Sequence, residues 1–224
     1  MAGLVAAAGS VALGYLSGAL PWGLWLGRWF KGVDVRTVGS RNLGATNVYR
    51  SLGPPLGIAT LVLDMAKGAL PVAIVPGLAF ARDFPGGREW CMVTVALAAV
   101  CGHVWTCFAG FRGGKGVATT AGALLSLAPI AFAVFAGVFV LTVALTRFIS
   151  LGSVLGSVAF AVALALRPGG VRSATFVIGA LLALVVIARH RENLARLVRG
   201  TERRFSWRGE GKSPGESKGE AGPA

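Results

Sequence analysis

Residues 117–146 read VATTAGALLSLAPIAFAVFAGVFVLTVALT, an apolar run without one ionisable side chain, divided by Pro129. Proline lacks the backbone N–H and clashes with the preceding turn, so the run should break near Ala128. The first piece has about twelve residues, a rise of ~18 Å at 1.5 Å per residue, little more than half of a membrane's apolar core. The piece starting near Ile130 is long enough to return across it. Whether the run counts as one crossing or two decides the topology.

Working outward, further apolar runs cover Gly3–Leu26, Leu56–Phe80, Cys91–Phe111, Phe148–Leu166 and Ser173–Ala188. Most approach the ~20 residues that a spanning helix requires. The chain is 54% hydrophobic and only 14% charged, which excludes an ordinary soluble domain. The first run lacks the charged start and small-residue cleavage site of a secretory signal, so it reads as a retained span. Residues 1–205 form one membrane domain in this reading. Residues 206–224, rich in Gly, Ser, Glu and Lys, read as a disordered polar tail.

The net charge of +13 would suggest nucleic acid in a soluble protein. Here the excess of basic loops toward the cytoplasm explains most of it. Arg28, Lys31, Arg36, Arg41 and Arg50 face one acid, Asp34, placing residues 27–53 inside and the N-terminus outside. Arg82 and Arg88, balanced by Asp83 and Glu89, fall outside, while Arg112 and Lys115 return inside. Arg189, Arg191, Arg196, Arg199, Arg203 and Arg204 also fall inside, so the number of crossings is odd. Splitting the run at Pro129 satisfies that condition. The expected fold is an all-α polytopic bundle of seven transmembrane helices, some short or broken. Five full spans, with Phe148–Leu166 not crossing, is the alternative.

Three segments carry more than loops need. Val38 to Arg50 (VGSRNLGATNVYR) gathers Gly39, Ser40, Asn42, Gly44, Thr46 and Asn47, which supply turns and neutral donors for an anion, with the Arg50 fork for phosphate. Gly110 to Thr119 (GFRGGKGVAT) brings Gly113, Gly114 and Lys115 to a helix start, a favourable place for an anion. It is no nucleotide P-loop, because Gly116 stands where Ser or Thr should follow the lysine. In Ala188 to Glu202 (ARHRENLARLVRGTE), His190, Asn193 and Leu197 share a helix face, and Glu192–Arg196 should pair one turn apart. Asp64 and Lys67, three apart inside an apolar run, read as a structural ion pair, and His103 as interior packing. Cys91, Cys101 and Cys107 show no metal or redox spacing and read as small hydrophobes.

In this order, the motifs GSRNLGATNVYR, FRGGKGVAT and RHRENLARLVRGTE, with LVLDMAKGALP and SLGS, resemble the bacterial acyl-phosphate:glycerol-3-phosphate acyltransferases of the PlsY family. The likeness runs from Gly18 to Glu202. It departs at Arg41, where the family commonly has Gly, and at Thr106, where Pro is common. The resemblance implies transfer of a fatty acyl group from acyl phosphate to the 1-hydroxyl of glycerol 3-phosphate, within membrane lipid, with no nucleic acid, metal or cofactor. It implies an inner-membrane enzyme with its site on the cytoplasmic side. By position it assigns Ser40, Arg50, Lys115, Ser153, His190 and Asn193 to the site, with Ser153 preferred to Ser150. Arg50, Lys115, His190 and Asn193 would hold phosphates, and Ser40 with the Gly44–Asn47 backbone would cradle one.

Neither His103 nor His190 has a carboxylate five residues on, so acid-oriented histidine catalysis is not legible. Acyl phosphate carries its own proton acceptor, which favours substrate-assisted transfer. Two rivals remain at this level. A metal-dependent phosphatidyltransferase needs clustered aspartates, whereas Asp34, Asp64 and Asp83 are scattered. An anion transporter would also use cationic half-helix ends.

Overall fold

Pro129 does break the long run. In the computed structural model, which describes residues 1–167 and 169–205, one helix covers Val117–Leu127 and the next Pro129–Thr146. Ala128 between them leaves helical geometry, and Pro129 takes the first helical position, where its missing N–H costs nothing. The ten α-helices among the described residues are α1 (Ala2–Ala19), α2 (Trp22–Lys31), α3 (Ala45–Leu52), α4 (Pro54–Ile74), α5 (Gly87–Val104), α6 (Val117–Leu127), α7 (Pro129–Thr146), α8 (Ile149–Ala165), α9 (Ala174–Arg189) and α10 (Arg191–Val198). The polar tail, residues 206–224, lies outside the described residues.

Four segments are long and apolar enough to cross a membrane: Ala2–Lys31, Pro54–Gly77, Gly87–Ala109 and Pro129–Thr146. A fifth is reached if α9 and α10, bent by 53°, count as one span. Helices α6 and α8 are apolar but shorter. The apolar helices are therefore α1 and α4 to α9. Ile58, Val62, Val140, Leu141 and Leu184 stay exposed on them, as side chains facing lipid rather than water should.

The first apolar run is not one helix. It breaks at Leu20–Pro21, and α2 continues beyond as an amphipathic segment with Trp25 stacked on Trp29. The polar stretch 27–53 likewise contains helix α3, which carries Thr46, Asn47 and Arg50. The first boundary has the local cause seen at Pro129, a proline that cannot continue the preceding helix, and hydropathy registers neither boundary.

The core pairs α1 with α5, α4 with α6, and α7 with α8. Short α6 is held deep against α4, because a side chain on Gly68 would overlap the Thr119 carbonyl and one on Gly122 the Met65 carbonyl. Pro71 within α4 cannot donate to Lys67 O, and Ser17 Oγ of α1 takes that role at 3.0 Å. Thr106, where the family commonly has proline, donates its hydroxyl to Ala19 O and accepts from Phe108 N at 3.2 Å. The hydroxyl thus ties the end of α5 to the break after α1. Arg41 has φ +57°, a left-handed conformation that suits the family's usual glycine and costs a non-glycine residue about 1–2 kcal/mol. Cys91 is buried as expected, whereas Cys107 is exposed.

Candidate active site

Lys115 follows two glycines that sit directly on the end of α5. Gly113 N donates to Val104 O at 3.0 Å and Gly114 N to His103 O at 3.2 Å. Side chains at either position would overlap His103. Arg189 Nη2 donates to Gly114 O at 3.2 Å from the other side. The clamped loop aims Lys115 Nζ at Asn193 Oδ1, to which it donates a short hydrogen bond.

From Asn193 the network runs to a carboxylate that local spacing does not reveal. Asn193 Nδ2 donates to Glu202 Oε1 at 2.6 Å, and Ser150 Oγ donates to the same oxygen at 2.7 Å. Arg196 Nε donates to Glu202 Oε2 at 2.9 Å, so Arg196 pairs with Glu202 rather than with Glu192 as expected. The only sequence signal for Glu202 was its standing as a single acid beside Arg199, Arg203 and Arg204. Of the two serines, Ser150 joins the network. Ser153 is buried and turns its hydroxyl back to Ile149 O at 2.9 Å.

After Glu202 the chain lies across α3 and the turn between α7 and α8. Phe205 N donates to Arg147 O at 2.6 Å, and the Phe205 ring meets Tyr49 at 5.2 Å. Arg50 Nη2 donates to the carbonyls of Arg203 and Arg204 at 3.2 and 3.4 Å. Arg50 thus reaches this segment from α3, while Lys115, in the loop before α6, reaches Asn193 of α10.

Asn47 organises the loop before α3. Its Nδ2 donates to the carbonyls of Val35, Val38 and Asn42, and its Oδ1 accepts from Ser40 N at 2.7 Å. Asn42 Oδ1 accepts from Gly44 N at 2.8 Å, and Gly39 turns with φ +57°. The amides of Asn47 and Asn42 therefore shape the loop. Ser40 remains exposed, and Thr46 lies in the first turn of α3.

His190 is buried at the bend between α9 and α10, and its Nδ1 lies 2.8 Å from Val186 O. That carbonyl orients the ring, the part a carboxylate plays elsewhere. Burial, with Lys115 nearby, pulls the imidazole down to about 4, so the ring is neutral and weakly basic. Burial likewise lowers the Lys115 ammonium to about 8, although Glu202 opposes the shift. Burial works against the Glu202 carboxylate, but hydrogen bonds from Asn193, Ser150 and Arg196 outweigh it and hold the carboxyl below its usual range.

Membrane-length helices around half-buried cations define an integral membrane protein with a site suited to anions. Residues 8–200 match the family model described as glycerol-3-phosphate acyltransferase. The glycerol-3-phosphate acyltransferase of Geobacter sulfurreducens is 45% identical over 196 residues, covering 87% of this chain and 95% of that protein. The one from a Synechococcus species is 42% identical over 200 residues, covering 89% and 95%. The crystal structure of PlsY (YgiH), an integral membrane glycerol 3-phosphate acyltransferase, in its glycerol 3-phosphate form, superposes with a TM-score of 0.79. It is 34% identical and covers 89% of this chain and 96% of that one. Its lysophosphatidic acid form gives 0.77 at the same identity. This chain belongs to the glycerol-3-phosphate acyltransferase family.

Proposed function

We propose that this protein transfers a fatty acyl group from acyl phosphate to the 1-hydroxyl of sn-glycerol 3-phosphate, the first step of membrane phospholipid synthesis. The observation that carries the reading is the pair of cations held by the C-terminal segment that Glu202 ties together, Lys115 on Asn193 and Arg50 on the carbonyls of Arg203 and Arg204. Two phosphorylated reactants call for two such partners. The glycerol hydroxyl oxygen attacks the acyl carbonyl carbon, and the bond from that carbon to the phosphate oxygen breaks. The hydroxyl proton passes to the departing phosphate, giving lysophosphatidic acid and hydrogen phosphate. His190, neutral and weakly basic, orients and binds. The protein's contribution is placement of the reactants and neutralisation of charge. Ser40 and the turn at Gly39, Asn42, Gly44 and Thr46 complete the phosphate cradle in this reading.

Purified protein in detergent, given acyl phosphate and glycerol 3-phosphate, is expected to release lysophosphatidic acid and phosphate. Absence of product from acyl phosphate, with product from an acyl thioester, would assign a different donor. Movement of unaltered glycerol 3-phosphate into sealed vesicles, without acylation, would make the chain a transporter.

The same reading places the chain in the bacterial inner membrane with seven crossings, its N-terminus outside and its site cytoplasmic. In a variant with the native cysteines replaced by serine, Ser51→Cys, Arg112→Cys and Thr201→Cys should resist an impermeant thiol reagent in intact cells. Each should label after the cells are opened. Arg112 serves better than Gly116, whose φ of +82° disfavours any side chain. Labelling of any of the three from outside would reverse the topology.

A further inference from the structure

Beneath the loop that carries Lys115 lies a second polar cluster which the transfer reaction does not use. Asp64 and Lys67 of α4 pair at 2.8 Å with almost no exposure, and His103 of α5 places its Nδ1 3.9 Å from the same Asp64 oxygen. Lys67 thus occupies that oxygen, and His103 Nδ1 has no hydrogen-bond partner among the described residues. Asp64 and His103 line a small pocket with Lys67 and Gly114. Lys67 Nζ also donates to Leu20 O at 2.7 Å, where α1 breaks. Three ionisable groups in a membrane interior are costly, and apolar side chains would hold the helices together as well. The arrangement is therefore better explained by geometry than by stability.

We propose that His103 is a positioning residue for Lys115. Its imidazole and carbonyl form the seat on which Gly113 and Gly114 rest, and the Asp64–Lys67 pair fixes that seat. The contacts form a series in which Asp64 and the His103 ring approach to 3.9 Å without a hydrogen bond. Leu20 O holds Lys67, Lys67 pairs with Asp64, Asp64 faces the His103 ring, and His103 O receives Gly114 N. A side chain on Gly113 would meet the His103 carbonyl, and one on Gly114 the ring nitrogen Nε2. Lys115 is the next residue, and Arg189 closes the loop from above through Gly114 O. A tilt of the ring would be passed to Lys115 with little slack. The inference rests on the acyltransferase reading, in which Lys115 contacts a phosphate.

The test is a mutant cycle with His103→Ala, Gly114→Ala and the double variant, scored by kcat, KM for each substrate and melting temperature. Each single change should lower kcat/KM by about tenfold or more, because displacement of a positioned group by ~1 Å is enough for such losses. In the double variant the space vacated at 103 admits the methyl at 114, so activity should exceed that of the weaker single variant. Losses that multiply across the cycle, or a lowered melting temperature with unchanged kcat/KM in His103→Ala, would overturn the proposal. Should His103→Ala fail to accumulate, His103→Gln keeps a flat polar end beneath the loop and is expected to stay within about threefold of the parent, against the larger Gly114→Ala loss. A His103→Gln loss as large as that of Gly114→Ala would overturn it too. Inactivity of the unmutated protein toward acyl phosphate would instead defeat the parent reading. The cycle is then scored on glycerol 3-phosphate affinity by equilibrium dialysis, where independence of the two positions would overturn the seat.

Discussion

Lys115→Ala and Arg50→Ala are each expected to lower turnover by roughly 10²–10³-fold, the scale seen when one donor to developing charge is removed from a water-poor site. For Lys115 the reason is specific. Its ammonium is half-buried and directed at Asn193 by a loop clamped between His103 and Arg189. Asn193 would also lose its donor, while Glu202 would keep Ser150 and Arg196 and hold α10 in place. The variant should therefore fold. Arg88→Ala, exposed at the far end of α5, is the control and should leave turnover unchanged. Single-turnover measurement at saturating substrates separates lost chemistry from lost binding. A Lys115→Ala loss below tenfold would remove this lysine from the site.

The second large effect is in the pH dependence. The free-enzyme Lys115 ammonium titrates near 8 and is charged below that value. kcat/KM should consequently fall as pH rises through about 8. Lys115→Arg, whose guanidinium stays charged, should move that alkaline limb upward whatever it costs in absolute rate. His190, lowered to about 4, is neutral throughout the working range and should contribute no limb near ~6.5, the ordinary histidine value. Any acid limb in that region belongs to the substrate phosphates and should persist in His190→Gln. A limb near 6.5 that disappears in His190→Gln, with a rate loss above ~10²-fold, would make His190 the general base.

Physical range explains which features the sequence disclosed. The break at Pro129 and the Asp64–Lys67 pair depend on neighbours within one helical turn, and both were legible. The gathering of anion donors around Arg50 and Lys115 was visible as composition. The contacts that arrange those donors were not. Glu202 meets Ser150 across the fold, and the choice between Ser150 and Ser153 turns on which face of α8 meets that carboxylate. The Val186 carbonyl orients His190 because the helix ends there, and a main-chain oxygen of this kind leaves no mark in carboxylate spacing. The break at Leu20–Pro21 carries the same proline signal as Pro129, but hydropathy alone reads its run as continuous, since hydropathy measures burial and not helix continuity. Arg41 and Thr106 are departures that only geometry interprets: one occupies a left-handed turn, and the other supplies a tie that proline cannot.

The segment from His190 to Phe205, which closes the network around Lys115 and Arg50, has a consequence for biogenesis. Translation runs from residue 1 upward, and the early helices enter the membrane before the later ones exist. Lys115 is made long before Asn193, and Ser150 long before Glu202. A nascent chain therefore carries an unfinished cationic pocket through the insertion of every helix up to α9. Only when the residues after α10 have been synthesised does Glu202 reach Ser150, Asn193 and Arg196. Ribosome-bound intermediates should consequently be inactive, and activity should appear in one step, with synthesis of the last residues that the pocket needs.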